Sequence, residues 1–106
     1  MKRYTVIIAK AAQNDLKEIY DYIAQHDSTE AAKRVYSELK KACLSLSILP
    51  YRGSKPHELH GVDTRYRNVI HKSYRVFYLI DEDAGQVHID AILDGRRNID
   101  FYLENL

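Results

Sequence analysis

Between Arg65 and Leu93 three runs of β-branched and aromatic residues follow one another across very short turns. Turns at Lys72-Ser73 and Asp83-Ala84-Gly85 cannot hold a parallel crossover, which needs about a dozen residues or more. The runs Arg65–His71, Tyr74–Asp81 and Gln86–Leu93 therefore form an antiparallel meander. Tyr74, Val76, Tyr78 and Ile80 alternate onto one face, and Val87, Ile89, Ala91 and Leu93 onto one face of the next strand. A sheet with an apolar face needs a cover. The residues upstream supply it.

Ala12, Leu16, Ile19, Tyr20 and Ile23 recur at helical spacing from Ala11 to about Gln25, with Lys17, Glu18 and Asp21 between them. Asp27-Ser28-Thr29-Glu30 has the pattern of a capping box, with Asp27 accepting from the first turn and Glu30 reaching back. A second amphipathic helix, Thr29 to Ile48, gathers Ala32, Val35, Leu39, Ala42, Cys43 and Leu46 on one face, and Pro50 stops it. Arg3 to Ile8 reads as a further strand that joins the sheet. The order β-α-α-β-β-β predicts an α+β, two-layer fold: an antiparallel sheet packed on an α-helical hairpin. Leu16, Ile19, Ile23, Val35, Leu39, Leu46, Val76, Tyr78, Ile89 and Leu93 are its expected buried set. Tyr51 to Thr64 reads as a loop, and Asn98 to Leu106 as a short helix or an extended arm.

Composition narrows the function classes. A chain of 106 residues makes one domain, whose core is too small to enclose a large pocket as well. The net charge of +1 excludes a uniformly basic coat for nucleic acid. Cys43 has no Cys partner for a disulfide or a zinc site. Four scattered glycines offer no phosphate-cradling loop, and no cofactor is expected. No apolar run reaches a membrane span, and the stretch after Met1-Lys2-Arg3 is too short for a signal peptide, so the expected location is cytoplasmic.

Charge is concentrated locally. From Arg52 to Arg75 the basic residues are Arg52, Lys55, Arg65, Arg67, Lys72 and Arg75, against Glu58 and Asp63 alone. Arg65 and Arg67 project from one face of their strand, and Arg96 and Arg97 end the last strand. Two readings stand side by side. The patch takes phosphates or an acidic protein segment, or it is the solvated face of a half-buried sheet with Asp90 and Asp94 pairing the arginines internally. His57, His60 and His71 match no metal-ligand spacing, so no metal is expected. Tyr20, Tyr22, Tyr36 and Tyr78 read as rings at the core's edge with wet hydroxyls. Tyr102 is placed either for acid–base work or to anchor the tail.

The ordered combination Ala12-x-x-Asp15-Leu16-x-x-Ile19-x-x-Tyr22-Ile23, Leu46-x-x-Leu49-Pro50-x-Arg52-Gly53, Arg65-Tyr66-Arg67, Tyr74-Arg75-Val76-Phe77-Tyr78 and Ile92-Leu93-Asp94-Gly95-Arg96-Arg97-Asn98 resembles the ParE/RelE superfamily of type II toxin–antitoxin toxins. The resemblance implies that residues 1–106 are a single toxin domain neutralised by a cognate, ParD-like antitoxin with a disordered C-terminal segment. It also implies one of two activities. RelE-like members cleave messenger RNA on the ribosome without a metal; ParE-like members poison DNA gyrase. RNA cleavage requires a base, an acid and cations for the phosphate. The candidates are Arg67, Arg75 and Arg97, with Tyr102 or His71 as acid or base. The charge near zero and the apolar, acidic tail around Tyr102 favour the ParE-like branch. In that reading Arg67, Arg75, Arg96 and Arg97 bind the antitoxin or the target, and no membrane is involved.

Overall fold

The computed structural model describes residues 1–56 and 65–96, and among them every expected element is present. β1 (Thr5–Ile8) leads into α1 (Lys10–His26) and α2 (Thr29–Leu44), and β2 (Arg67–His71), β3 (Tyr74–Asp81) and β4 (Gln86–Asp94) follow. One four-stranded sheet has the order β1-β4-β3-β2, with the helical hairpin on one face. The meander is antiparallel throughout, but β1 runs parallel to β4, with Thr5 opposite Gln86 and Ile8 opposite Ile89. The sheet is therefore mixed. No tight turn links β1 to its partner, so nothing local forces an antiparallel pair.

Leu39, Leu46, Val76, Tyr78 and Ile89 are wholly buried, and Leu16 nearly so. They join Ala12, Cys43, Val87 and Ile92 in one cluster between the layers. Ile19, Ile23 and Val35 are only half-buried, because they also line an open groove, although Ile19 and Val35 pack against the main core. Burial pushes the Cys43 thiol up to about 11, which leaves it an inert core residue.

The alternation expected of the last strand fails at one residue. Phe77 pairs with Ala91 but Tyr78 pairs with Ile89, so Asp90 is an inserted bulge residue. Past the bulge the faces exchange. Ile92 joins the helix-side core, while Ala91 and Leu93 pack with Phe77 and Tyr66 in a second cluster. Leu93 is buried as expected, but not on the expected face.

The helix boundaries also differ. Ser28, not Asp27, caps α2: its backbone is extended and its hydroxyl accepts the Ala31 N–H at 3.0 Å. Asp27 instead ends α1, its N–H bonded to the Ile23 carbonyl. The second helix stops at Leu44 rather than at Ile48. There the Ser45 hydroxyl donates back to the Ala42 carbonyl at 2.6 Å, and Ser45–Ser47 tightens into a 3-10 turn. Ile48 is drawn away by its bridge to Arg3. Leu46 keeps its helical phase through the tighter turn, which is why the apolar period outruns the helix.

Candidate functional site

The Leu46-to-Gly53 motif folds into a corner. Pro50–Arg52 forms a second 3-10 turn, entered through Leu49 with φ of 52°. The Arg52 guanidinium donates to the Ile48 carbonyl at 2.8 Å and the Ser45 carbonyl at 3.2 Å, tying the two turns together. The Tyr78 hydroxyl donates to the Pro50 carbonyl at 2.5 Å and accepts the Gly53 N–H at 3.1 Å. A Cβ on Gly53 would collide with that hydroxyl and lie 2.9 Å from the Asn68 carbonyl. The glycine is there for close approach. Its positive neighbours are structural as well: Arg67 donates to the carbonyls of Gly53 at 2.8 Å and Tyr51 at 3.1 Å, and its guanidinium lies 5.2 Å from the Tyr51 ring centre.

Among the described residues the arginines do not converge. Register places Arg67 opposite Tyr78 and Arg75 opposite Ile70, so the two project from opposite faces of the sheet. Arg75 bonds the Asn68 carboxamide oxygen at 2.9 Å and lies 4.9 Å from the Phe77 ring centre. Arg96 is at the far end, paired with Asp94 through Nη2 at 2.6 Å and Nε at 2.9 Å. The internal pairing considered for Asp94 is thus realised, and the Asp94 hydrogen bonds raise the Arg96 pKa further. Asp90 instead accepts the Tyr66 hydroxyl at 2.7 Å. Arg97, Tyr102, His57 and His60 lie outside the described residues.

Beside Arg96 a groove of about 550 Å³ opens between the hairpin and the ends of β3 and β4. Ile19, Ile23, Val35 and Ile92 form its floor, and its rim carries Asp15, Glu18, Asp27 and Asp94 against Arg34 and Arg96. Tyr22 stands exposed there, stacked on His26 at 4.1 Å. Asp15 accepts the Ile92 N–H at 2.9 Å, and burial pushes its pKa up against that bond.

His71 Nε2 donates to Glu38 at 3.1 Å, and Lys72 reaches the same oxygen at 3.0 Å. These two bonds hold Glu38 below the usual carboxylate range. At the opposite end of the sheet Glu82 accepts from Lys2 at 2.7 Å and from the hydroxyls of Tyr4 and Tyr51, each at 2.8 Å, and is held down to about 2. Neither Glu38 nor Glu82 carried a sequence signal, because each one's partners come from distant parts of the chain. Asp15 did, as the acidic member of the α1 motif. Among the described residues no group of three His, Cys, Asp or Glu side chains could hold a metal, and no helix is long and apolar enough to cross a membrane.

The family model of the ParE toxin of type II toxin–antitoxin system parDE matches residues 6–99. Solved structures share the fold. The RelBE2 toxin–antitoxin complex of Mycobacterium tuberculosis contains a chain 23% identical, with a TM-score of 0.69 over 89% of this chain and 93% of that one. A chain of the chromosomal ParDE system of P. aeruginosa is 14% identical, with a TM-score of 0.71 over 87% and 96%. A mutant of E. coli toxin RelE in the free state is 14% identical, with a TM-score of 0.61 over 98% of each chain. No curated protein matches the sequence.

Proposed function

The chain belongs to the ParE toxin family, and from that premise we propose that this type II toxin acts on DNA gyrase and is neutralised by a cognate antitoxin. The observation that carries the gyrase reading is the dispersal of the cations among the described residues. Metal-free RNA cleavage gathers several positive groups around one phosphate with an acid and a base in reach. Here Arg67 and Arg75 project from opposite faces of the sheet, and Arg96, at the far end of it, is paired with Asp94. A gyrase inhibitor requires none of that convergence, only a rigid surface. The fold neighbours include both ParDE and RelE toxins, so ribosome-dependent messenger RNA cleavage is the competing activity.

Expression without an antitoxin is expected to arrest growth, and co-expression with the cognate antitoxin to relieve it. Purified protein should inhibit gyrase supercoiling while leaving messenger RNA on ribosomes intact. Ribosomal cleavage that disappears in Tyr102→Phe would replace the gyrase reading with the nuclease one. A cytoplasmic site of action, with no cofactor and no membrane, belongs to the same proposal.

A further inference from the structure

We propose that the open edge of β2, centred on Ile70, takes an acidic extended protein segment as an added strand. β2 is the outermost strand of the sheet, and its outward groups can be assigned from the ladder. Asn68 exchanges both backbone hydrogen bonds with Ser54, its N–H at 2.8 Å and its carbonyl at 3.1 Å, so its polar groups point away from β3. Ile70, two residues on, points its N–H and C=O the same way. Antiparallel register would set residue 52 opposite it, but Pro50–Arg52 has wound into a 3-10 turn. The chain thus passes Ile70 as a 3-10 turn and joins the edge only afterwards, at Ser54. The Ile70 side chain is 69% exposed, and a groove of about 460 Å³ lined by Ala42, Ser45, Gly53 and Ser54 lies alongside.

Charge decides what fits. Among the described residues Arg52 lines the groove, Lys55 follows Ser54, and Arg67 and Lys72 stand at the two ends of β2, against Glu38, which pairs with Lys72. The hydrogen bonds of Arg52 and Arg67 go to neutral oxygens, so their charge is not cancelled by a paired acid. A second copy of the chain would bring like charges together along the shared edge, a device that keeps edge strands from self-pairing. A strand carrying Asp or Glu on alternate residues meets the opposite situation: its backbone bonds Ile70 while its carboxylates reach the cationic rim. That the segment is part of the antitoxin rests on the reading above; the chemistry of the edge does not.

The test uses a blocked peptide of about ten residues alternating glutamate with valine, with a lysine-for-glutamate peptide as its control. In the full chain the acidic peptide should shift the Ile70 amide resonance and slow its exchange, and should bind at least about tenfold tighter than the lysine peptide at low salt. Ile70→Pro removes the outward donor without touching the β2–β3 ladder and should abolish binding. Lys55→Glu changes only an exposed charge and should weaken binding even if the proline variant fails to fold. No effect at the Ile70 amide, equal binding of both peptides, unchanged binding by Ile70→Pro or Lys55→Glu, tighter binding of single-stranded RNA at the same edge, or a dimer that buries Ile70 would each overturn the proposal. Growth arrest without peptide binding removes this edge and leaves the toxin reading standing. Peptide binding without growth arrest does the reverse.

Discussion

Asp15 and Glu82 are carboxylates in opposite circumstances, and acid acts on them with opposite sign. β1 has ended at Ile8, so past Ile89 the adjoining side of β4 has no strand, and Asp15 supplies the acceptor for the Ile92 N–H. Burial, which dominates over that bond, raises its pKa above the ordinary 3.8. A raised folded pKa means that its contribution is full below the unfolded value and fades as pH rises through the folded one. Asp15→Asn, which keeps an acceptor and loses the charge, should therefore equal or exceed the parent in urea melts at neutral pH. Asp15→Ala leaves a buried N–H unpaired and should cost about 1–3 kcal/mol. Glu82, bonded by Lys2, Tyr4 and Tyr51, is lowered from 4.5 to about 2. Its stabilisation is full above the unfolded value and is lost as pH falls through the folded one. Glu82→Gln should flatten the fall of Tm between about pH 4.5 and pH 2, read by thermal melts across that range.

Elements respond through their faces. Leu39 is fully buried at the centre of α2, and Leu39→Ala should lower unfolding free energy by roughly 2–5 kcal/mol in denaturant titrations. Deleting Asp90 removes the bulge and forces Ala91, Ile92 and Leu93 each to the opposite side of β4. That variant should lose its cooperative melt, since Ile92 leaves the main core and Leu93 enters it. The helices and the meander were legible because their apolar periods run through many residues. The bulge was not: Ala91, Ile92 and Leu93 are all apolar, so the sequence reads equally well in either phase. The arginines were legible as residues, but their fate was not. Arg67 is held by the carbonyls of Tyr51 and Gly53, and a backbone carbonyl leaves no mark in a sequence. The open edge at Ile70 was hidden for a related reason, since it depends on Pro50–Arg52 winding into a turn before Ser54 joins the edge.

At the scale of the whole molecule, the sheet joins strands far apart in sequence: Val6 lies opposite Val87, and Ile8 opposite Ile89. The apolar face of the hairpin has no cover until β3 and β4 exist, and β1 has no neighbour until β4 does. Pairings so distant in sequence come late, because the loop must close before the contacts reward it. Synthesis proceeds at about 5–20 residues per second. The first strand therefore waits for seconds without its partner while the chain up to β4 is made. Nascent chains stalled after Ala84 should be digested rapidly by added protease, whereas chains carried past Leu106 on a linker long enough to clear the exit tunnel should resist it. The topology acts as a clock: a ribosome carries this domain as an unfolded polymer until β4 has emerged, and only then can the folded toxin appear.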